Sequence, residues 1–411
     1  MNKIAYVLPS YPVLSETFVG TEMRAMEAFG HDVQPIAFIH HLGEYQQQDS
    51  ELKARTLYLC DYSKGIAFKA LSFLRPTVIK ALKFAFLQQG ISFKSLIGNA
   101  LKLAYLAKKN NCTHFHAHFS QGTAATAIVA ARLCGATVSF VGHGYDVYAT
   151  PQDLALKLNS VDFVVAVCKD MAADFRDMAP KVDISLIYCG IEKQRFSQVQ
   201  SNVVSITKNK NIAKCELKLK TQQEKNIKLL FIGRLCETKG LFTLLNALKM
   251  IDVNKRPCID LVGDGVLRDQ LEQYVKKNQL TKYVQFLGSK QSNWFIEHSQ
   301  DYAAMVAPFE LAKNGDRDTG PVVVKEAMAL KLPVITTFFM GCNEFLTSDS
   351  GLRVPPKDPV RLAQMIKQFL DMPIEDIQKM KNSAYDRVSN FYTSEIQASC
   401  LSAMIVRKNQ Q

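Results

Sequence analysis

The 411-residue chain has a single tryptophan, Trp294, which reads as a packing residue. It also has no run of about 20 uncharged apolar residues, so no segment reads as a membrane span. Its ten cysteines (Cys60, Cys112, Cys134, Cys168, Cys189, Cys215, Cys236, Cys258, Cys342, Cys400) stand singly, without a Cys-x-x-Cys pair. That pattern argues against a zinc site or a disulfide framework and fits a reducing cytosol. The start, Met1 to Pro9, reads as a short strand stopped by proline, too short for a signal peptide. A cytoplasmic location is therefore expected.

Acidic residues are missing between Tyr62 and Asn111, where nine Lys or Arg occur: Lys64, Lys69, Arg75, Lys80, Lys83, Lys94, Lys102, Lys108 and Lys109. Apolar residues interleave at helical spacing, including Ile66, Leu71, Leu74, Val78, Leu82, Phe86, Phe93, Ile97 and Leu101. Basic amphipathic helices of this kind lie on an anionic membrane face. The same pattern also suits a solvated basic face on helices packed against the first domain. No short-period repeat and no low-complexity tract occurs, and no nucleic-acid partner is expected.

What remains is ordinary for a globular protein: 47% apolar and 21% charged residues, with a net charge of +12. The length suggests two domains of about 200 residues each. Strand and helix patterns alternate from the start, as in a parallel α/β sheet. Strands are expected at Lys3–Pro9, Val33–Ile39, His114–His118, Thr137–Val141, Phe163–Val167 and Ser185–Ile187, with helices at Glu16–Phe29 and Gln121–Cys134. A polar, lysine-rich stretch from Arg195 to Asn226 reads as a linker. A second series follows, with strands Lys228–Ile232, Cys258–Val262, Val284–Leu287 and Pro333–Thr336 and helices Leu241–Ile251 and Leu267–Asn278. We expect a Rossmann-like domain over 1–195 and a second, including the linker, over 196–389. A helix near Tyr392–Lys408 would cross back over the first half. The fold class is then α/β, two doubly wound sheets facing a cleft, with ligands at the carboxyl ends of strands.

The most informative segment is Asp318-Thr-Gly-Pro-Val-Val-Val-Lys-Glu326. Pro321 suits the first position of a helix, where its missing N–H costs nothing. Val322 and Val323 then offer first-turn N–H groups to an anion. Glu326 follows about one turn later. A carboxylate on each side of an anion-binding helix start suits a ligand with both phosphate and hydroxyls, as in a sugar nucleotide. A second loop, Gly233-Arg-Leu-Cys-Glu-Thr-Lys-Gly240, follows a strand and precedes a helix. Arg234 and Lys239 there supply the bidentate and point charges that a diphosphate needs, unless the loop is only a solvent-exposed turn.

These two segments resemble the donor-binding domain of the retaining family 4 glycosyltransferases, of GT-B architecture. The first half resembles the same family, closest to bacterial enzymes that build exopolysaccharide or O-antigen units, including the colanic acid type. The matching stretches there are Tyr11-Pro-Val-Leu-Ser-Glu-Thr-Phe18, Gly30-His-Asp-Val33, His114-Phe-His-Ala-His-Phe119, Gly142-His-Gly-Tyr-Asp146 and Ile187-Tyr-Cys-Gly-Ile-Glu192. The resemblance implies that Arg234 and Lys239 hold the donor diphosphate and that Glu326 holds the ribose. It places Asp318 where the family has a glutamate facing the transferred sugar, and Asp316 is a substitute for that role. It also implies that His143 contacts the sugar near its reacting carbon. Glu16, Tyr145 and Asp146 are candidate acceptor-side residues, although Glu16 also reads as a first-turn helix carboxylate. Gly265, in Gly263-Asp-Gly265, is a weak nucleotide contact, since a lone Gly-x-Gly says little.

His114, His116 and His118 alternate along one strand and invite a metal. The family has histidine there without one, and Asp316-Arg-Asp318 only mimics the metal-binding motif of another architecture. No metal and no cofactor are therefore expected. The expected reaction is transfer of a hexose, with retention, from a UDP- or GDP-sugar to a glycan acceptor. The acceptor is expected to be lipid-linked, as on undecaprenyl diphosphate, at the inner membrane face. A nucleotide-sugar 2-epimerase and a non-catalytic sugar-nucleotide-binding subunit remain the alternatives.

Overall fold

The computed structural model describes residues 2–63, 65–73, 75–196 and 227–410. Lys64, Leu74, Cys215 and the expected linker from residue 197 on lie outside the described residues. Two compact units result: Met1–Gly190 with Ser394–Gln411, and Ile191–Thr393.

The first unit is built on β1 (Lys3–Tyr11), β2 (Asp32–His40), β3 (Leu57–Tyr58), β4 (His114–His118), β5 (Thr137–Val141), β6 (Phe163–Ala166) and β7 (Ile184–Leu186). All pairings are parallel, in the order β3-β2-β1-β4-β5-β6-β7. The run Ile4–Leu8 in β1 is apolar and buried on both faces, as a central parallel strand must be. Helix Gly122–Cys134 connects β4 to β5, and its alanine-rich sequence lets it pack closely, with nearly every residue buried. Helix Ser394–Asn409, from the end of the chain, docks on the helix Thr17–Ala28 of this same unit. His31 Nε2 meets Ser402 Oγ at 2.8 Å, and Arg407 pairs with Asp183.

The second unit carries β8 (Lys228–Ile232), β9 (Cys258–Val262), β10 (Val284–Gly288), β11 (Ala304–Ala307), β12 (Val334–Thr337) and β13 (Leu352–Val354). Its order is β10-β9-β8-β11-β12-β13, again all parallel. Phe231, Leu244, Leu248, Leu261 and Ile366 lie at its centre, each fully buried. Both sheets have the Rossmann strand order, so the crevice at the carboxyl ends of β8 and β11 is the switch point of the second sheet.

The expected strands are present with ends that move by one or two residues, as helix and strand ends do. Pro321 differs more instructively. Its ψ of 111° is extended, so it caps helix Val322–Ala329 from outside, and Val322 is the first helical residue. The expected C-terminal helix begins at Ser394, after a separate helix Ile374–Phe391. Among the described residues the nine cysteines are all free thiols, and no helix is long and apolar enough to cross a membrane.

Candidate active site

In the second unit, β8 ends at Ile232, and the loop that starts at Gly233 lies against the loop after β9. A Cβ at Gly263, whose φ is 132°, would sit 2.0 Å from the Gly233 carbonyl oxygen, so only glycine allows this approach. Gly265 meets the Leu235 backbone in the same way, which gives this glycine a packing role. The turn Glu237–Lys239 closes on Gly240, left-handed at φ 61°, and helix Leu241–Met250 starts there.

That turn aims Lys239 inward. The side chain is almost buried, its Nζ lies 2.8 Å from Asp318 Oδ2, and it sits 5.0 Å from the centroid of the Phe309 ring. Arg234 stays exposed. Asp316 is close enough for Asp318 to matter. Burial and the Asp318 charge raise its carboxyl, while the Arg317 N–H, Arg234 and Lys239 oppose them. The loop that carries Asp318 is held from behind, where Gly341 N–H donates to the Thr319 carbonyl at 3.0 Å.

Helix Val322–Ala329 then begins. The N–H groups of Val322 and Val323 lie in its first turn, where no intrahelical acceptor exists. Glu326 is partly buried, and burial pushes its carboxyl up to about 6, against the opposing charges of Arg195 and Lys325. Sequence reading missed both cations. Lys325 is fully buried, with its Nζ 4.3 Å from the Phe345 ring centroid. Arg195 is held by Ser292 and Asn293 at 2.8 and 2.9 Å. In the second unit Arg234, Lys239 and Asp318 all act on Asp316, and the Val322 helix start, with Glu326 one turn into it, follows Asp318 directly in the chain.

The first unit holds the other candidates. His143 follows β5 and is partly exposed, between Phe18 and Phe119 at ring-centroid distances of 4.5 and 4.9 Å. Burial, then the neighbouring His118, hold its imidazole well below the usual range, so it is neutral. Asp146 is fully buried and faces inward. Its Oδ2 accepts the Ser120 N–H at 2.7 Å and its Oδ1 the His143 N–H at 3.0 Å, so it fixes the His143 loop. Tyr145, beside it, is exposed. Glu16 occupies the N-cap position of helix Thr17–Ala28 and makes no side-chain cap bond.

The three strand histidines are buried and hydrogen-bonded. His114 meets Thr137 and Ser139, and His116 also meets Ser139, each at 2.8 Å. Glu22 joins His116 and His118 in a group whose ligand atoms lie within 4.8 Å of one another. That group has metal-ligand chemistry, but its carboxylate already accepts from Tyr6 and Gln397. A second group of the same kind, His40, Cys60 and Asp61, lies at the surface. Sequence reading missed Glu22 because a mid-helix glutamate gives no signal until β4 and the returning C-terminal helix surround it.

Two parallel Rossmann-like sheets in one chain, with cations and a helix start at the switch point of the second, are the arrangement of the GT-B glycosyltransferases. Residues 216–387 match the family Glycosyl transferases group 1. It is 22% identical to the candidate colanic acid biosynthesis glycosyltransferase WcaL of Salmonella typhimurium, over 96% of this chain and 97% of that one. It is 23% identical to the amylovoran biosynthesis glycosyltransferase AmsK of Erwinia amylovora, over 89% of each. Among solved structures, HepE of Anabaena in complex with UDP and glucose superposes with a TM-score of 0.71 at 14% identity, covering 99% of this chain and 100% of that one.

Proposed function

We propose that the protein transfers a hexose, with retention of anomeric configuration, from a UDP- or GDP-sugar to a lipid-linked glycan during bacterial surface polysaccharide assembly. One observation carries this reading: Lys239 Nζ lies 2.8 Å from Asp318 Oδ2, in the loop that leads directly into the Val322 helix start, and a cation beside a helix start suits a diphosphate. The names of WcaL and AmsK support the polysaccharide context, and an undecaprenyl diphosphate carrier fits it.

In this reading Arg234 and Lys239 bind the donor diphosphate, helped by the N–H groups of Val322 and Val323. Glu326 accepts hydrogen bonds from the ribose hydroxyls. The bond between the anomeric carbon and the diphosphate oxygen breaks as the acceptor hydroxyl attacks the same face. The departing phosphate takes the hydroxyl proton, so charge and protons balance without an enzyme nucleophile. The two cations take the part of a metal ion at the leaving group, so we assign a metal-independent reaction. Asp318 faces the transferred sugar, and the family resemblance gives His143 a contact with that sugar.

We also place the protein peripherally on the inner membrane face. Helix Val78–Leu87 supports this, because it buries Ala81, Phe84 and Ala85 yet exposes Ile79, Leu82 and Phe86. Lys80 and Lys83 lie exposed among them. A solvated basic face would not need that second apolar stripe.

The test is release of nucleoside diphosphate from a panel of UDP- and GDP-sugars, with and without acceptor extract. Transfer predicts acceptor-dependent release. A 2-epimerase would instead give a new sugar nucleotide without acceptor, and a non-catalytic subunit would bind the donor and turn over nothing.

A further inference from the structure

Glu22 lies buried in the first unit with donors around its carboxylate. Tyr6 donates its hydroxyl to Oε1 at 3.0 Å, and Gln397 donates its amide to Oε2 at 2.6 Å. His118 Nε2 lies 3.3 Å from Oε1. His116 Nε2 is 3.2 Å from the same oxygen but out of line for a hydrogen bond, and its Nδ1 is taken by Ser139. Burial acts to raise the Glu22 carboxyl, yet His118 and His116 outweigh it and hold it well below the usual range. It is therefore ionised, and an ionised carboxylate only accepts. His118 Nε2 must carry a proton.

The other nitrogen of His118, Nδ1, lies 3.3 Å from His143 Nε2. The two rings are within 14° of parallel with centroids 5.5 Å apart, so the nitrogens face each other in the ring plane. Donors from Tyr6, Gln397 and His118 surround the Glu22 carboxylate. In the His118 tautomer that Glu22 selects, with the proton on Nε2, Nδ1 is a bare lone pair. His143 then has to donate from Nε2, which leaves its own Nδ1 bare. That nitrogen has no partner among the described residues.

We propose that Glu22 is a positioning residue: acting through His118, it fixes His143 with its proton on Nε2 and presents the bare Nδ1 to a sugar hydroxyl. The catalytic part of this inference rests on His143 meeting the donor sugar; the tautomer part does not. Titratable groups face the relay from three sides. Tyr6 comes from β1, His114, His116 and His118 from β4, and Glu22, with Glu27 beyond it, from helix Thr17–Ala28. Asp146 touches His143 only through its backbone N–H, and the returning helix contributes the neutral Gln397.

The experiment is long-range ¹H–¹⁵N correlation of histidine-labelled full-length protein without donor. Wild type is expected to show His143 neutral with Nε2 protonated and Nδ1 pyridine-like. Glu22→Met, which removes the acceptor for His118, is expected to lose that single tautomer, and Glu22→Gln, whose amide oxygen still accepts, to restore it. Glu22→Met is also expected to lower donor kcat/KM about tenfold, the worth of one hydrogen bond. A wild-type spectrum with His143 protonated on Nδ1 overturns the proposal, with no variant needed should Glu22→Met fail to fold. An unchanged tautomer in folded Glu22→Met overturns it as well. If the tautomer shifts while donor kinetics do not, tautomer control by Glu22 stands, and the placing of His143 at the donor sugar is what falls.

Discussion

Lys239 Nζ and Asp318 Oδ2 lie 2.8 Å apart, joining two residues that the resemblance assigns to adjoining parts of the donor, the diphosphate and the transferred sugar. Neither is free as the structure stands. A bound diphosphate would have to share Lys239 with Asp318 or draw it away. Nearly buried cations with a carboxylate partner are pre-aimed, since the pair fixes the lysine's long stem before the ligand arrives.

Lys239→Met is therefore expected to lower kcat/KM for the donor by about 10² or more, the usual cost of removing one preorganised charge at a leaving group. Asp318→Asn keeps the shape but frees Lys239, so it should bind nucleoside diphosphate at least as tightly as wild type while losing turnover. Asp318→Glu, which lengthens the arm by one carbon, is expected to retain activity. Calorimetric titration with UDP and GDP, beside turnover assays, checks all three. Tighter nucleotide binding by Lys239→Met would refute the role of the lysine.

Glu326 gives a pH signature of its own. Its carboxyl is raised from 4.5 to about 6, mainly by burial, so the folded protein holds this proton more tightly than the unfolded chain. Folding then takes up a proton between those values. The stability contribution is fully present below the unfolded value and is lost as pH rises through about 6. The loss is on the order of 2 kcal/mol at neutral pH. Glu326→Gln should thus stabilise the protein in urea at pH 7.5 by up to that amount and change nothing at pH 4. Donor affinity should move the other way, falling in wild type as pH drops below about 6, because a protonated Glu326 accepts fewer ribose hydroxyls. Equal urea midpoint shifts at both pH values would disprove the assignment.

Gly240 carries Lys239 into place. Its φ is 61°, and a Cβ there would lie 2.0 Å from the Pro308 carbonyl oxygen, so no room is left for a side chain. Gly240→Ala is expected to destabilise the second unit by about 3 kcal/mol or more, combining left-handed strain with a backbone clash. Thermal unfolding followed by circular dichroism measures this, and a variant as stable as wild type would contradict the geometry.

Much of this was legible from residues alone. β5, β8 and β9 announce themselves as short, largely apolar runs bounded by turns, because buried parallel strands need little else. The Arg234–Lys239 loop and the Asp318–Glu326 segment were legible for the same reason, since strand, turn and helix start lie within a few residues of each other. Glu22, His118 and Gln397 were not. They lie on three separate elements, and Gln397 is 375 residues from Glu22 in sequence. No local pattern marks a helix-borne glutamate as buried when its partners arrive through the sheet order and the returning C-terminal helix. Lys325 was hidden for a related reason, since only the packing of Phe345 makes that position apolar.

The exposed stripe on helix Val78–Leu87 makes the last prediction. Ile79, Leu82 and Phe86 recur at i, i+3 and i+7, the spacing of one helix face, with Lys80 and Lys83 beside them. Each lysine near an anionic surface contributes about 1 kcal/mol, and that attraction fades within a Debye length as salt rises. The protein is expected to sediment with vesicles containing anionic lipid at low salt and to release at high salt. Phe86→Glu should weaken binding at every salt concentration, because it removes apolar burial and adds repulsion at once. Lys80→Gln with Lys83→Gln should weaken it mainly at low salt. Failure to sediment with anionic vesicles at low salt would return this face to the simpler reading of a solvated helix surface.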